Sequence, residues 1–135
     1  KGFLNNEEHR ALNTSALEKF TQHSLFTRIL TSPKLLREHR FSVKIPPSMI
    51  DENLPNLENE DFIVTQGALD CAFLENGEYV IVDYKTDKAA NVTELFNKYS
   101  KQLEIYKYAL EHTENIKVKE LIIYSFYLND QYIGR

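Results

Sequence analysis

The sequence predicts a mixed α/β domain with a central sheet of about four strands flanked by helices. Three observations predict it. Two apolar runs flank Asn76-Gly77, the strongest short-range hairpin signal, because both residues tolerate φ > 0. A helical apolar repeat (Leu95, Tyr99, Leu103, Tyr106, Leu110) follows. Then comes a nearly unbroken apolar and aromatic run, Val118 to Leu128, which reads as a buried strand. A strand, a helix and a further strand in that order favour a right-handed parallel crossover.

Taken in order, Lys1 to Arg10 is polar and irregular. From Ser15 the pattern is helical. Ser15-x-x-Glu18 is a capping box, and Leu17, Phe20, Leu25, Ile29 and Leu30 give one apolar stripe, so a single helix is expected up to Ser32-Pro33. Arg37 to Ile45 alternates, with Phe41, Val43 and Ile45 on one face, as a strand does. Pro46 to Glu60 holds three prolines among polar residues and reads as a loop. The hairpin spans Phe62 to Thr86, and a helix over Thr93 to His112 is capped by Asn91 or Thr93. Asn129-Asp130 is a turn after the last strand. The order is α-β-β-β-α-β.

The chain has 135 residues, which is one domain with a single core. It opens on Lys1 in mid-pattern, so a fragment of a longer protein is expected. No run of about 18 apolar residues is present to span a bilayer, and no secretory leader pattern opens the chain. Its one cysteine, Cys71, lies in an apolar run and reads as a small core residue; that count excludes zinc and disulfide frameworks. A net charge of −4 weighs mildly against nucleic acid, whose binders are usually basic. The weight is small where carboxylates hold a cation.

The chemistry is concentrated in the hairpin. With Asn76 and Gly77 as a two-residue turn, Glu75 pairs with Glu78, which places Asp70 opposite Asp83. Side chains alternate with period two, so Asp70, Asp83 and Lys85 share one face. Directly opposed like charges destabilise a sheet, and the neighbours Leu69, Ala72, Ile81 and Val82 are apolar. A divalent cation between the carboxylates resolves the conflict, and hard oxygen ligands suit Mg²⁺ or Mn²⁺. The structural alternative is a buried Asp/Lys salt bridge. On the second helix Gln102 and Tyr106 share a face, and the glutamine beside an apolar stripe needs partners. The competing reading is an amphipathic helix with a core tyrosine and an edge glutamine.

Gly67-Ala68-Leu69-Asp70, Asp83-Tyr84-Lys85-Thr86-Asp87 and Gln102-x-x-x-Tyr106 together resemble the motifs of the RecB-like branch of the PD-(D/E)XK nuclease superfamily. The wording from Tyr99 to Leu110 and the strand Arg37-Glu38-His39-Arg40-Phe41 are most similar to the C-terminal nuclease domains of bacterial AddA-type (RexA) helicase–nuclease subunits. The resemblance covers about Leu17 to Leu128. It implies a restriction-endonuclease-like core and a single nuclease domain over 1–135, with upstream and C-terminal helices lying outside the chain. It further implies Asp70, Asp83 and the Tyr84 carbonyl as metal ligands, Lys85 orienting water or stabilising charge, and Gln102 and Tyr106 as auxiliary active-site residues. The family's further histidine ligand has candidates in His9, His23 and His39, for each of which an exposed polar role is the default. Glu38 is a supporting group or a solvent-facing strand residue. The implied activity is Mg²⁺-dependent DNA exonuclease action in double-strand break repair by recombination, cytoplasmic, with an AddB/RexB-like second subunit. The rivals are an inactive nuclease-fold DNA-binding or scaffolding module and a carboxylate-metal phosphoesterase for small substrates.

Overall fold

The computed structural model describes residues 14–50 and 62–135. A five-stranded sheet runs in sequence order: β1 (Leu35–Ile45), β2 (Ile63–Glu75), β3 (Glu78–Lys85), β4 (Val118–Ser125) and β5 (Asp130–Gly134). Helices α1 (Thr14–Thr21) and α2 (Ser24–Leu30) precede it, and α3 (Val92–Glu114) joins β3 to β4. The β3/β4 pair is parallel and the other three neighbouring pairs are antiparallel. Parallel strands need a crossover of this length.

The helices cover opposite faces of the sheet. On one, Phe20, Leu25 and Ile29 of α1 and α2 pack on Cys71, Phe73, Val80, Val82, Ile122 and Tyr124. On the other, Leu95, Leu103 and Leu110 of α3 pack on Ala72, Ile81, Leu121 and Ile123. Strands β3 and β4 are therefore buried on both faces, which is why they read as unbroken apolar runs. Each buried leucine of α3 contributes about 1.5–3 kcal/mol. The helix starts where the Asn91 side chain accepts from the Glu94 N–H at 2.9 Å, and it ends at Asn115 in the left-handed region, φ 56°.

Three expectations need correction. The sheet has five strands rather than about four, because the turn after β4 returns the chain as β5. That strand is short, and its Asp-Gln-Tyr-Ile-Gly sequence shows little apolar alternation. The single N-terminal helix is two, since the His23 ring Nδ1 accepts from the Leu25 N–H at 3.1 Å and starts α2 afresh; Leu30, counted in its stripe, is exposed. The strand expected over Val118 to Leu128 is β4, which stops at Ser125. Pro47–Met49 is a short 3₁₀ turn within the expected loop. The rest of that loop from Asp51, and the Lys1 to Arg10 stretch, lie outside the described residues.

Candidate active site

The Asn-Gly turn does what its residue types require: φ is 54° at Asn76 and 82° at Gly77. It fixes the register from Glu75↔Glu78 to Cys71↔Val82. One residue further the ladder stops. Asp70 and Asp83 do not form a strand pair; instead the Tyr84 N–H donates to Asp70 Oδ2 at 2.9 Å. The β1/β2 ladder breaks at the same level. Arg37↔Cys71 and His39↔Leu69 pair, but Glu38 between them takes φ 47°. The sheet is thus interrupted on both sides of Asp70.

Asp70, Asp83 and Lys85 nevertheless line one cavity of about 260 Å³. Tyr84, Thr86 and Asp87 continue its wall, and α3 supplies Tyr99 and Tyr106. The Tyr84 ring packs among Phe20 and Phe126 in the opposite core layer, so it meets the cavity through its backbone. Gln102 is exposed on α3 and is not in the wall.

Asp83 is only 3% exposed. The Lys85 ammonium lies 3.0 Å from its Oδ2 but outside hydrogen-bonding geometry, so that buried oxygen has a counter-charge and no donated hydrogen bond. A buried carboxylate oxygen left in that state is costly. Burial opposes the charge on Lys85, but the Asp83 carboxylate outweighs it and raises the ammonium's pKa. The ammonium also sits 3.9 Å from the centre of the Tyr99 ring. Tyr99 donates its hydroxyl proton to Asp87 Oδ2 at 2.7 Å, and Lys98 is 3.2 Å from the same oxygen. Burial opposes ionisation of Asp87, yet these two donors hold its carboxyl below the usual range. Burial pushes the Tyr106 hydroxyl up to about 12, and the charges of Asp83 and Asp70 add to the effect.

Behind Tyr106 stands Phe41, edge to face at 5.7 Å between centroids. Gly67 makes room for that ring: a Cβ there would lie 2.9 Å from Phe41 Cζ. A larger cavity, about 790 Å³, runs along β1 and β2 past Glu38, Arg40 and Gln66, and shares Asp70 with the first.

The histidines do not join this group. His23 is the α2 cap, His39 pairs opposite Leu69 without lining either cavity, and His9 lies outside the described residues. Among the described residues no cluster of three or more His, Cys, Asp or Glu side chains could hold a metal. Asp70 and Asp83, which line the smaller cavity, are hard oxygen donors of the type a divalent cation takes.

Residues 4–131 match the profile of the PD-(D/E)XK nuclease superfamily. The chain belongs to this superfamily. It is 34% identical over 129 residues to an ATP-dependent helicase/nuclease subunit of Clostridium acetobutylicum, a match covering 94% of this chain and 10% of that one. It is 37% identical over 138 residues to the protein of the same name from Clostridium perfringens (97% and 11%), and 37% over 126 residues to that of a Thermoanaerobacter species (92% and 10%). The chain thus spans about a tenth of the length of these relatives. The crystal structure of SSO0001 superposes with a TM-score of 0.51 at 15% identity, over 90% of this chain and 51% of that one, a likeness of fold. In this PD-(D/E)XK nuclease domain the Asp83-Tyr84-Lys85 spelling falls at the end of β3, where the unsatisfied oxygen lies.

Sequence reasoning gives no role to three wall residues, Thr86, Asp87 and Tyr99. Periodicity places Tyr99 with the apolar stripe, and Asp87 falls in the connection. The signal for Tyr99 is its spacing: seven residues before Tyr106 is two turns, which puts both on one helix face.

Proposed function

We propose that this chain is the nuclease domain of a larger ATP-dependent helicase–nuclease of the AddAB (RexAB) kind. In that reading it hydrolyses DNA phosphodiesters as an exonuclease during double-strand break repair by homologous recombination, beside an AddB/RexB-like second subunit. The observation that carries the chemistry is the buried Asp83 Oδ2 that receives no hydrogen bond while facing a cavity shared with Asp70 and Lys85. Asp70, Asp83 and the Tyr84 carbonyl would hold Mg²⁺, or Mn²⁺ in its place. Such an ion polarises a phosphoryl oxygen and lowers the pKa of water. Lys85, kept charged beside Asp83, orients the attacking water or meets negative charge on the scissile phosphate. Tyr106 keeps its proton at neutral pH and offers a donor to the phosphate. Gln102 would take its auxiliary role from the exposed side of α3, on bound DNA.

The test is Asp83→Ala in the full-length protein. DNA cleavage should fall by at least about 10³-fold, the scale of losing one strong electrostatic stabiliser, while ATP-driven unwinding persists. Cleavage near wild type would overturn the assignment. Equal turnover of a small chromogenic phosphodiester and of DNA by the wild type would instead favour a small-substrate phosphoesterase.

A further inference from the structure

We infer that Tyr99 is a positioning residue for the nuclease reaction: its ring seats the Lys85 ammonium beside Asp83, and Asp87 fixes that ring. The inference rests on the nuclease reading above. A lysine head group hangs on a flexible four-carbon stem, and Lys85 is only partly buried. Its ion pair with Asp83 at 3.0 Å lacks hydrogen-bond direction, so that contact holds the charge close without fixing the orientation of the head group. The Tyr99 ring supplies a second restraint, its centroid 3.9 Å from Nζ. Cation–ring attraction grows as the partners lose water, and this contact lies in the cavity wall.

The ring is itself held. Its hydroxyl donates to Asp87 Oδ2 at 2.7 Å, and Asp87 follows Lys85 by two residues. The restraint therefore runs from the end of β3 to α3 and back to the segment leaving β3. Packing alone would be served by a leucine at this place in the apolar stripe. The hydroxyl bond and the ammonium against the ring are what packing does not require.

The experiment uses the full-length helicase–nuclease with saturating Mg²⁺, measuring kcat and KM for DNA alongside melting temperature. A Lys85→Ala arm tests the nuclease reading separately, and wild-type cleavage by it would sink that reading whatever Tyr99 does. With cleavage lost in that arm, Tyr99→Leu should lower kcat about tenfold, the scale of a partly desolvated cation–π contact, with KM and melting temperature near wild type. Tyr99→Phe keeps the ring and should recover most of the rate. Asp87→Asn should match Tyr99→Phe, and the double variant should be no slower than either, as expected for two residues acting through one contact. Three results would each overturn the inference: wild-type kcat in Tyr99→Leu, a Tyr99→Phe variant as slow as Tyr99→Leu, or additive losses in the double variant. Should Tyr99→Leu fail to fold, Tyr99→Met, which also lacks the ring, takes its place: a loss of about tenfold in kcat supports the inference and a wild-type kcat overturns it.

Discussion

The β2–β3 hairpin carries a pair of carboxylates at each end, and its two ends treat them differently. Beside the turn, Glu75 and Glu78 are direct cross-strand partners. Glu75 is met by Arg28 through two hydrogen bonds of 3.0 and 2.8 Å and by Lys119 at 2.8 Å, while Glu78 has Lys117 at 3.9 Å. At the open end, Asp70 takes a backbone N–H and Asp83 a lysine in poor geometry, with Asp83 Oδ2 buried and short of a donor. Facing carboxylates do not by themselves specify a cation. The turn end resolves the same repulsion with cations of the protein and partial exposure to water. What marks the open end is the one buried Asp83 oxygen that receives no hydrogen bond, and that is the state a bound ion would complete in the proposed reading.

The comparison predicts that damage at the turn end costs stability and spares chemistry. Arg28→Ala strips a guanidinium from both Glu75 and Glu120, each 2.8 Å away. Arg28 is a quarter exposed, so the loss should be about 2 kcal/mol, below the range for fully buried pairs. Denaturant unfolding should show it, with DNA cleavage per folded molecule unchanged. A variant of normal stability, or one whose folded fraction no longer cuts, would break the distinction between the two ends.

The open end should respond to metal where the turn end does not. A cation bound only by the folded chain raises stability by about 1.4 kcal/mol at ten times its dissociation constant. Thermal melts with and without Mg²⁺ or Mn²⁺ should show this gain in the wild type and in Glu78→Gln, and should show none in Asp83→Asn. A gain surviving in Asp83→Asn would place the ion elsewhere.

The open end is legible in the sequence because an Asn-Gly turn leaves one register, and register decides which side chains meet. Asp70, Asp83, Lys85 and Tyr106 follow from that register or from motif, and all reach the cavity. The break in pairing at Asp70 is not legible, since a side-chain oxygen replacing a backbone partner leaves no mark on alternation. Nor are the partners of Tyr99: stripe counting records that a residue faces inward, not that its hydroxyl finds an aspartate twelve residues back. Gln102 shows the reverse. Its spacing to Tyr106 is helical, yet a one-residue step from Leu103 turns it to solvent. In the fold, β5 is hidden because a five-residue edge strand carries too few alternations to read.

The smallest effect sharpens the comparison through pH. The Arg28 hydrogen bonds, opposed by burial and aided by Lys119, lower the Glu75 carboxyl from 4.5 to about 2. A folded-state pKa below the unfolded one stabilises wherever the unfolded carboxyl is ionised. The contribution of Glu75 is therefore complete above about pH 4.5, falls as pH drops, and is gone near pH 2, where the folded carboxyl also protonates. Because Glu75 is about a quarter exposed, solvent screening holds its share to about 1 kcal/mol. Glu75→Gln should then be less stable than wild type at pH 7, and the gap should close steadily between pH 4.5 and 2. Equilibrium urea unfolding of both proteins across that window measures the difference directly. A gap independent of pH would mean that Glu75 acts by packing, and the turn end would lose its claim to be the charge-satisfied one.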